Sequence, residues 1–428
     1  MKIEERIGNW EDGGGKSRMS DLEKVFERID FYRDEVIQLQ TDLTSRVALG
    51  PENGGSGEHE KADFIRGLLE AMGPDVLEEI KAPDERAWDG CRPNLIARWG
   101  LSRAEPAVWV LSHSDIVPPG DLSLWESDPY KVRVEGDRII GRGVQDNQQG
   151  FVSSYLAVRA VIESGLKSGR PVGLAIVADE ETGSEYGLSY LLRHHQGLFM
   201  KHDLIIVPDA GDTDGTMIEI AEKSMLWLKF TVTGQQCHAS MPHEGKNSLF
   251  GAAKLILALE ELRKRFDVLD EMFSPPVSTF EPTKMEGNVP NVNTIPGRDV
   301  FYMDCRVLPR YRVDEIFTSC EEISLEVGSE LGLQIQVETV YLQDAAEPTS
   351  SGALVVRALA KAIKRVTGKD ARPMGIGGGT VAAFFRKAGL PAAVWSTTTD
   401  SAHQPNEYCL ISNVITDAKI FACLYMGE

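Results

Sequence analysis

The stretch AVWVLSHSD, residues 107–115, decides how this chain is read. Its first six residues carry no charge and suit a strand buried on both faces, and the run discharges directly into His113 and Asp115. The same arrangement recurs. VGLAIVADEE (172–181) runs into Asp179, Glu180 and Glu181, DLIIVPD (203–209) runs into Asp209, and PAAVWS (391–396) leads through a polar loop to His403. Between the first two runs, GRGVQDNQQG (141–150) sets Asp146 just ahead of a helix predicted over 148–164. With a further short run at 94–99, strand and helix alternate in the order expected of a mostly parallel sheet covered by helices. Ligands of open α/β sheets gather at the carboxyl ends of the strands. One acid at a strand end means little; histidine or carboxylate at four ends of one sheet edge predicts a metal site.

The remainder of the chain organises around this core. Residues 21–48 carry a helical stripe, Val25, Ile29, Tyr32, Val36, Leu39 and Leu43, with steps of four and three. PENGGSGEHE (51–60) breaks it, and a second helix is predicted near 61–72. The texture changes at Lys223. MLWLKFTVTG (225–234) alternates like a half-exposed strand, followed by a helix over 248–266, a Pro-rich loop, the strand VFYMDCRVL (300–308), a helix over 313–331 and the strand LQIQVETVY (333–341). This β-α-β-β-α-β pattern is self-contained. The reading is a catalytic α/β domain over 21–222 and 346–428, interrupted by an α+β ferredoxin-like insert over 223–345. Residues 1–20, with a glycine cluster at 13–15, read as a flexible tail.

Composition narrows the function. A formal net charge of −20 argues against nucleic acid and anionic membranes, which need a basic face. No run approaches the ~20 apolar residues of a membrane span. The first residues hold acids and no apolar run, unlike a signal peptide, and the six cysteines form no CxxC pair. A cytoplasmic protein with scattered thiols is expected.

A catalytic zinc takes histidine nitrogen and carboxylate oxygen and keeps a position open for water. Two such ions ~3.5–4 Å apart share a bridging carboxylate. Two histidines and three carboxylates suffice, and the chain offers His113, Asp146, Glu181, Asp209 and His403. Glu180, beside a ligand, is then the free acid near the water, and Asp115 the partner that orients the His113 imidazole.

SHSDIVP (112–118), GRGVQDNQQG, ADEETGSEYG (178–187), PDAG (208–211) and SAHQPNEY (401–408), in this order, resemble the dizinc metallohydrolases of peptidase clan MH: aminoacylases, glutamate carboxypeptidases, acetylornithine deacetylases and succinyl-diaminopimelate desuccinylases. The resemblance spans about 60–428. It implies a zinc-exopeptidase-like fold with helices on both sheet faces, and two divalent ions per chain, zinc or alternatively cobalt or manganese. One ion would be held by His113, Asp146 and Asp209, the other by Asp146, Glu181 and His403. Glu180 would pass a proton from the shared water to the leaving nitrogen of a small peptide or N-acyl amino acid. The insert would serve as lid and homodimer interface. Within GQQCHASMPHEGKNS (234–248), His238 matches a histidine that reaches the partner's site. Asn293 and Arg306 match positions that hold a substrate carboxylate, and Gly378, Gly379 and Thr380 a substrate-binding loop. The chain departs from the pattern at Gln148, where Lys is frequent, at Cys237, where Gly is, and at Val381, where an acid is. Two other readings are a carbamoyl-amide hydrolase of nucleobase breakdown and an inactive binding homologue; the complete ligand and base set speaks against the second.

Overall fold

The computed structural model describes residues 20–101 and 105–428. The large sheet draws first on Val76–Pro83 (β1), Cys91–Trp99 (β2), Val108–His113 (β3), Val172–Val177 (β4), Leu204–Val207 (β5) and Met217–Glu222 (β6). Ser224–Thr233 (β7), Thr279–Met285 (β8), Arg298–Val307 (β9) and Gln334–Gln343 (β10) follow, then Arg372–Ile376 (β11) and Ala392–Val394 (β12). The large sheet has the order β1-β2-β4-β3-β5-β12-β6-β11. Its centre, β4-β3-β5-β12, is parallel, whereas β2 and β6 pair antiparallel with β4 and β12. The carboxyl ends of β3, β4, β5 and β12 therefore share one edge.

Alternation within these strands explains the layers. Val108, Val110, Leu174, Ile176, Leu204 and Ile206 face a core shared with the helices Asp21–Asp30, Gln148–Glu163, Leu354–Thr367 and Ile411–Met426. Trp109, Leu111, Ala175, Val177, Ile205 and Val207 face the opposite core, against Leu188–His194 and Ala382–Lys387. A strand covered on both faces needs apolar residues at every position, which is why these runs stand out in the sequence. The amino-terminal stripe is buried as expected, but on two helices, Asp21–Asp30 and Arg33–Thr44, separated by a turn at Phe31 and Tyr32. Ser20 and Glu23 close a reciprocal capping box on the first.

The second sheet, β8-β9-β7-β10, is antiparallel and packs Ser248–Leu259 and Val313–Leu331 over its own core of Leu226, Leu228, Phe230, Phe301 and Ile316. Where a Pro-rich loop was expected, β8 forms an edge strand with a register shift between Pro282 and Lys284. An edge position tolerates a proline that lacks a ladder donor. Among the described residues no helix is long and apolar enough to cross a membrane.

β6 carries two buried acids, Glu219 and Glu222, balanced by the buried Arg386, whose Nη1 lies 2.8 Å from Glu219 Oε1. Burial, with Glu222 adding to it against the pull of Arg386, raises the Glu219 carboxyl from 4.5 to about 8. A carboxyl whose folded pKa is raised contributes stability that is complete below 4.5 and lost as pH climbs through about 8. Glu219→Gln removes that titration. Relative to the native chain, its urea-unfolding free energy should increase, meaning greater relative stability, as pH rises across this interval; a difference independent of pH would show that Glu219 stays ionised throughout.

Candidate metal centre

The edge where β3, β4, β5 and β12 end carries the expected side chains. His113, the last residue of β3, is buried and places Nε2 2.9 Å from Asp146 Oδ1 and 3.4 Å from Asp209 Oδ1. On the other side of Asp146, His403 Nε2 lies 3.1 Å from Asp146 Oδ2 and 3.2 Å from Glu181 Oε2. Asp146 thus stands between the two histidines. Donor atoms of His113, Asp146 and Glu181 lie within 4.8 Å of one another, as do those of His113, Glu180 and Asp209.

Local backbone sets these positions. Glu180–Thr182 is a single helical turn entered through Asp179 at φ 61° and left through Gly183 at φ 117°. Asp179 sustains its left-handed conformation with its own carboxylate, which accepts from the Thr182 hydroxyl and from Tyr186 N at 3.0 Å. His403 is also left-handed, at φ 64°. Such outliers persist where surrounding contacts over-determine them and cluster at functional sites.

Asp115 does more than orient one imidazole. Its Oδ1 lies 3.4 Å from His113 Nδ1, and the two carboxylate oxygens accept the backbone N–H groups of Glu180 and Glu181 at 3.1 and 3.0 Å. Burial pushes its carboxyl up, but the bonds from His113 and these amides outweigh it and hold Asp115 below the usual carboxylate range. Burial and Asp209 raise Glu180 well above that range. Burial and Asp146 raise Glu181 to about 7, and hydrogen bonds to Asp146 and Glu181 raise His403 to about 10.

Glu180 and Glu181 are thus acids short of positive charge, whereas against the opposing push of burial the hydrogen bonds from His113 and His403 hold Asp146 below the usual carboxylate range. Among the described residues no Lys or Arg forms an ion pair with Asp146, Glu180, Glu181 or Asp209; histidine supplies their only cationic contacts. Glu181 Oε1 is buried without a hydrogen-bond partner. Oxygen and imidazole donors converging in this way fit divalent cations of the zinc type.

Gly379 and Thr380 join Asp146, Glu180, Glu181, Asp209 and His403 around a cavity of about 610 Å³. Gly378 belongs to the same loop, outside this lining. The other positions matched by resemblance lie elsewhere. His238 and Asn293 sit together, exposed, at a short two-stranded ribbon where Cys237–His238 pairs with Thr294–Ile295, and Ala239 N donates to Asn293 O at 2.9 Å. Arg306 does not line the cavity. Its Nε and Nη2 bond both oxygens of Asp304 at 2.7 and 3.0 Å, and Nη1 donates to Gly377 O at 3.1 Å.

Sequence reasoning missed the groups behind the ligands. Buried Glu407 accepts Arg142 Nη1 at 2.5 Å and the backbone amides of Gly143, Gln145 and Asp146 at 3.2, 3.0 and 3.1 Å. Arg142 Nη2 also donates to His403 O at 3.3 Å, so one ion pair grips the loops of two ligands. Asn147 Nδ2 donates to Asp209 Oδ1 at 2.7 Å. Arg92 and Glu58, both fully buried, pair behind the Glu180 turn, where Glu58 also accepts Asp179 N at 3.3 Å. Glu407 was visible only as one letter of SAHQPNEY.

Residues 109–426 match the model of peptidase family M20/M25/M40. The chain belongs to this family. An uncharacterized metallohydrolase of Methanococcus maripaludis is 38% identical over 409 residues, covering 91% of this chain and 98% of its own. A succinyl-diaminopimelate desuccinylase of Gluconobacter oxydans is 28% identical over 400 residues, covering 92% and 98%. Among solved structures, human carnosine dipeptidase 1 superposes with a TM-score of 0.72 at 18% identity, covering 95% of this chain and 98% of its own. An M20 metallo-carboxypeptidase of Sulfolobus solfataricus gives 0.69 at 20%, covering 92% and 100%. This M20 chain is a metal-dependent hydrolase of peptide or acyl amide bonds.

The Glu407 pair offers a direct test of loop positioning. Partners that orient metal ligands typically matter by about 10- to 100-fold in metal affinity. Glu407→Gln should remain folded by circular dichroism yet bind divalent metal more weakly by a factor in that range, measured by competition with a chelator. Unchanged affinity would mean that the two loops hold their ligands without it.

Proposed function

We propose that this M20 chain cleaves the amide bond of a small, carboxylate-bearing peptide or N-acyl amino acid at a centre of two divalent ions, zinc by preference. His113, Asp146 and Asp209 would hold one ion, and Asp146, Glu181 and His403 the other. When bound, the pair supplies Lewis acidity, which acidifies water and polarises a scissile carbonyl. The chain's own residues do the rest. Glu180 takes the proton of the attacking water and delivers it to the leaving nitrogen, which is otherwise a poor leaving group. Asp115 holds His113 and the Glu180 turn in register, and the Gly378–Thr380 loop borders the substrate. One observation carries this reading: side chains from four strand ends meet around Asp146, and Glu180 shares that cluster without touching either histidine's contact to Asp146.

A positioned acid/base contributes typically about 10²–10⁴-fold. Glu180→Gln should therefore keep its metal, by elemental analysis, and lose kcat by a factor in that range against a panel of dipeptides and N-acyl amino acids. Asp146→Ala should instead lose most of its bound metal. Near-normal turnover in Glu180→Gln would place the base elsewhere, and full metal content in Asp146→Ala would remove its bridging role.

The second sheet and its helices are proposed to act as a lid and to pair with a second copy, with His238 serving the partner's site. His238 is exposed and outside this chain's cavity, and Phe250 and Leu257 on Ser248–Leu259 expose 60% and 74% of their surface. Isologous pairing is the commonest way to bury such a face. Co-refolded His238→Ala and Glu180→Gln chains would form heterodimers in which one site carries both defects and the other neither. Activity should recover well above either parent; a mixture as inactive as its parents, with subunit exchange confirmed, would confine His238 to its own chain or to no role.

A further inference from the structure

The cavity wall opposite the acids is contributed by the second sheet. Trp227 and Met225 lie on β7, with Tyr341 and Gln343 directly across on β10. The Trp227 and Tyr341 rings meet with centroids 4.8 Å apart at 39°, and both remain about two-fifths exposed beside the site. An exposed aromatic pair is ordinarily mobile, but this one is anchored. Trp227 Nε1 donates to Asp304 Oδ2 at 2.8 Å, Asp304 is clamped by both branches of Arg306, and Arg306 bonds Gly377 O. The ring is therefore tied, through two charged residues, to the glycine loop that borders the cavity. The loop and wall also touch: a Cβ at Gly379 would fall 2.7 Å from Gln343 Nε2 and 3.0 Å from Met225 Cε, so Gly379 packs directly against these two side-chain ends. Among the described residues lining the cavity there is no Lys or Arg.

We infer that Trp227 and Tyr341, with Phe384 across the cavity, form a specificity wall that receives a bulky apolar, preferentially aromatic, group of the substrate rather than a second carboxylate. This rests on the amide-hydrolase reading above and deepens it. A ring stacked on Trp227 and Tyr341 loses its exposed apolar surface to a matching surface held in place beforehand, so little side-chain freedom is lost on binding. A succinyl-type carboxylate on this wall would be stripped of water beside apolar rings with no guanidinium or ammonium to receive it. Asp304 and Arg306 act here as positioning residues, since their polar groups are spent on the ring and the loop.

The aromatic group can sit on the acyl side or on the amino-acid side, and four compounds separate these cases: N-acetylalanine, N-benzoylalanine, N-acetylphenylalanine and N-succinylalanine. Binding to the metal-loaded Glu180→Gln protein is measured by calorimetry, and kcat and KM on the loaded native protein. At least one aromatic compound should bind about 10-fold or more tightly than both N-acetylalanine and N-succinylalanine, the scale of one well-packed aromatic contact. Trp227→Ala should abolish that preference, Trp227→Phe should keep most of it, and the change should fall on KM more than on kcat. Asp304→Ala should resemble Trp227→Ala, whereas Asp304→Asn, whose oxygen still accepts the indole N–H, should retain the preference. N-succinylalanine binding as tightly as either aromatic compound, or Trp227→Ala weakening all four equally, overturns the wall. Failure of the native protein to hydrolyse any of the four counts against the amide-hydrolase reading instead, and the calorimetry still decides the wall.

Discussion

Asp146 lies between His113 and His403, and the surrounding structure has to deliver three more carboxylates to the same few ångströms. Like charges crowded in a buried place repel, and taking them from water costs several kcal/mol per ion. The chain does not answer this by inserting arginines among the ligands. Two buried guanidinium groups lie behind this cluster: Arg142 pairs with Glu407, and Arg92 pairs with Glu58 and also reaches Glu52, Asp84 and Asp179. Glu58 and Glu407 then accept backbone N–H groups of the ligand-bearing loops. The layer behind the candidate ligands thus holds its own cations and reaches that cluster mostly through neutral amides. Positioning and neutralisation are separated, and the candidate ligand cluster keeps a charge deficit of the kind a divalent cation would fill.

The same economy links the two sheets. β6 passes into β7 across the single residue Lys223, whose ammonium is held by Pro275 O and Val277 O at 2.9 and 2.6 Å. Glu222, the last residue of β6, accepts both the backbone N–H and the hydroxyl of Thr380, at 3.0 and 2.6 Å. The cavity's glycine loop is therefore hung from the strand that leads into its aromatic wall. A shift of the second sheet against the first would be felt at Thr380 as well as at Trp227.

What could be read from the sequence follows from where each element is buried. β3, β4 and β5 are covered on both faces and announce themselves as unbroken apolar runs ending in acids or histidine, so the cluster of candidate ligands was legible. β1, at the sheet's edge, spells VLEEIKAP, and its charged residues conceal a strand. β6 spells MIEIAE, and only the contact with Arg386, far along the chain, makes its acids tolerable inside. β8 was hidden by its proline. Contacts between distant residues were equally invisible: Glu407 and Arg142 are 265 positions apart, and nothing local marks either as a partner. Resemblance supplied His238, Asn293 and Arg306, but it carries no geometry. In this chain the first two sit exposed at a short two-stranded ribbon and the third is engaged by Asp304.

Gln148 bears on the charge balance as well. Chains with this motif pattern often carry lysine there; here the side chain is buried, its Oε1 accepts Thr44 Oγ1 at 3.0 Å, and its Nε2 has no partner. One cation is thereby absent two residues beyond Asp146. The buried ammonium of this region instead belongs to Lys61, on the helix His59–Ala71, where burial lowers its pKa to about 8 against the opposing pull of Asp115, Glu58 and Glu407. Lys61 Nζ forms no hydrogen bond, so it holds no loop. It acts at longer range on three carboxylates that do hold loops, and with Arg92 and Arg142 it makes the positive complement of the supporting layer. A neutral Gln148 keeps that complement behind Asp115 and Glu407, away from the carboxylates that face the cavity.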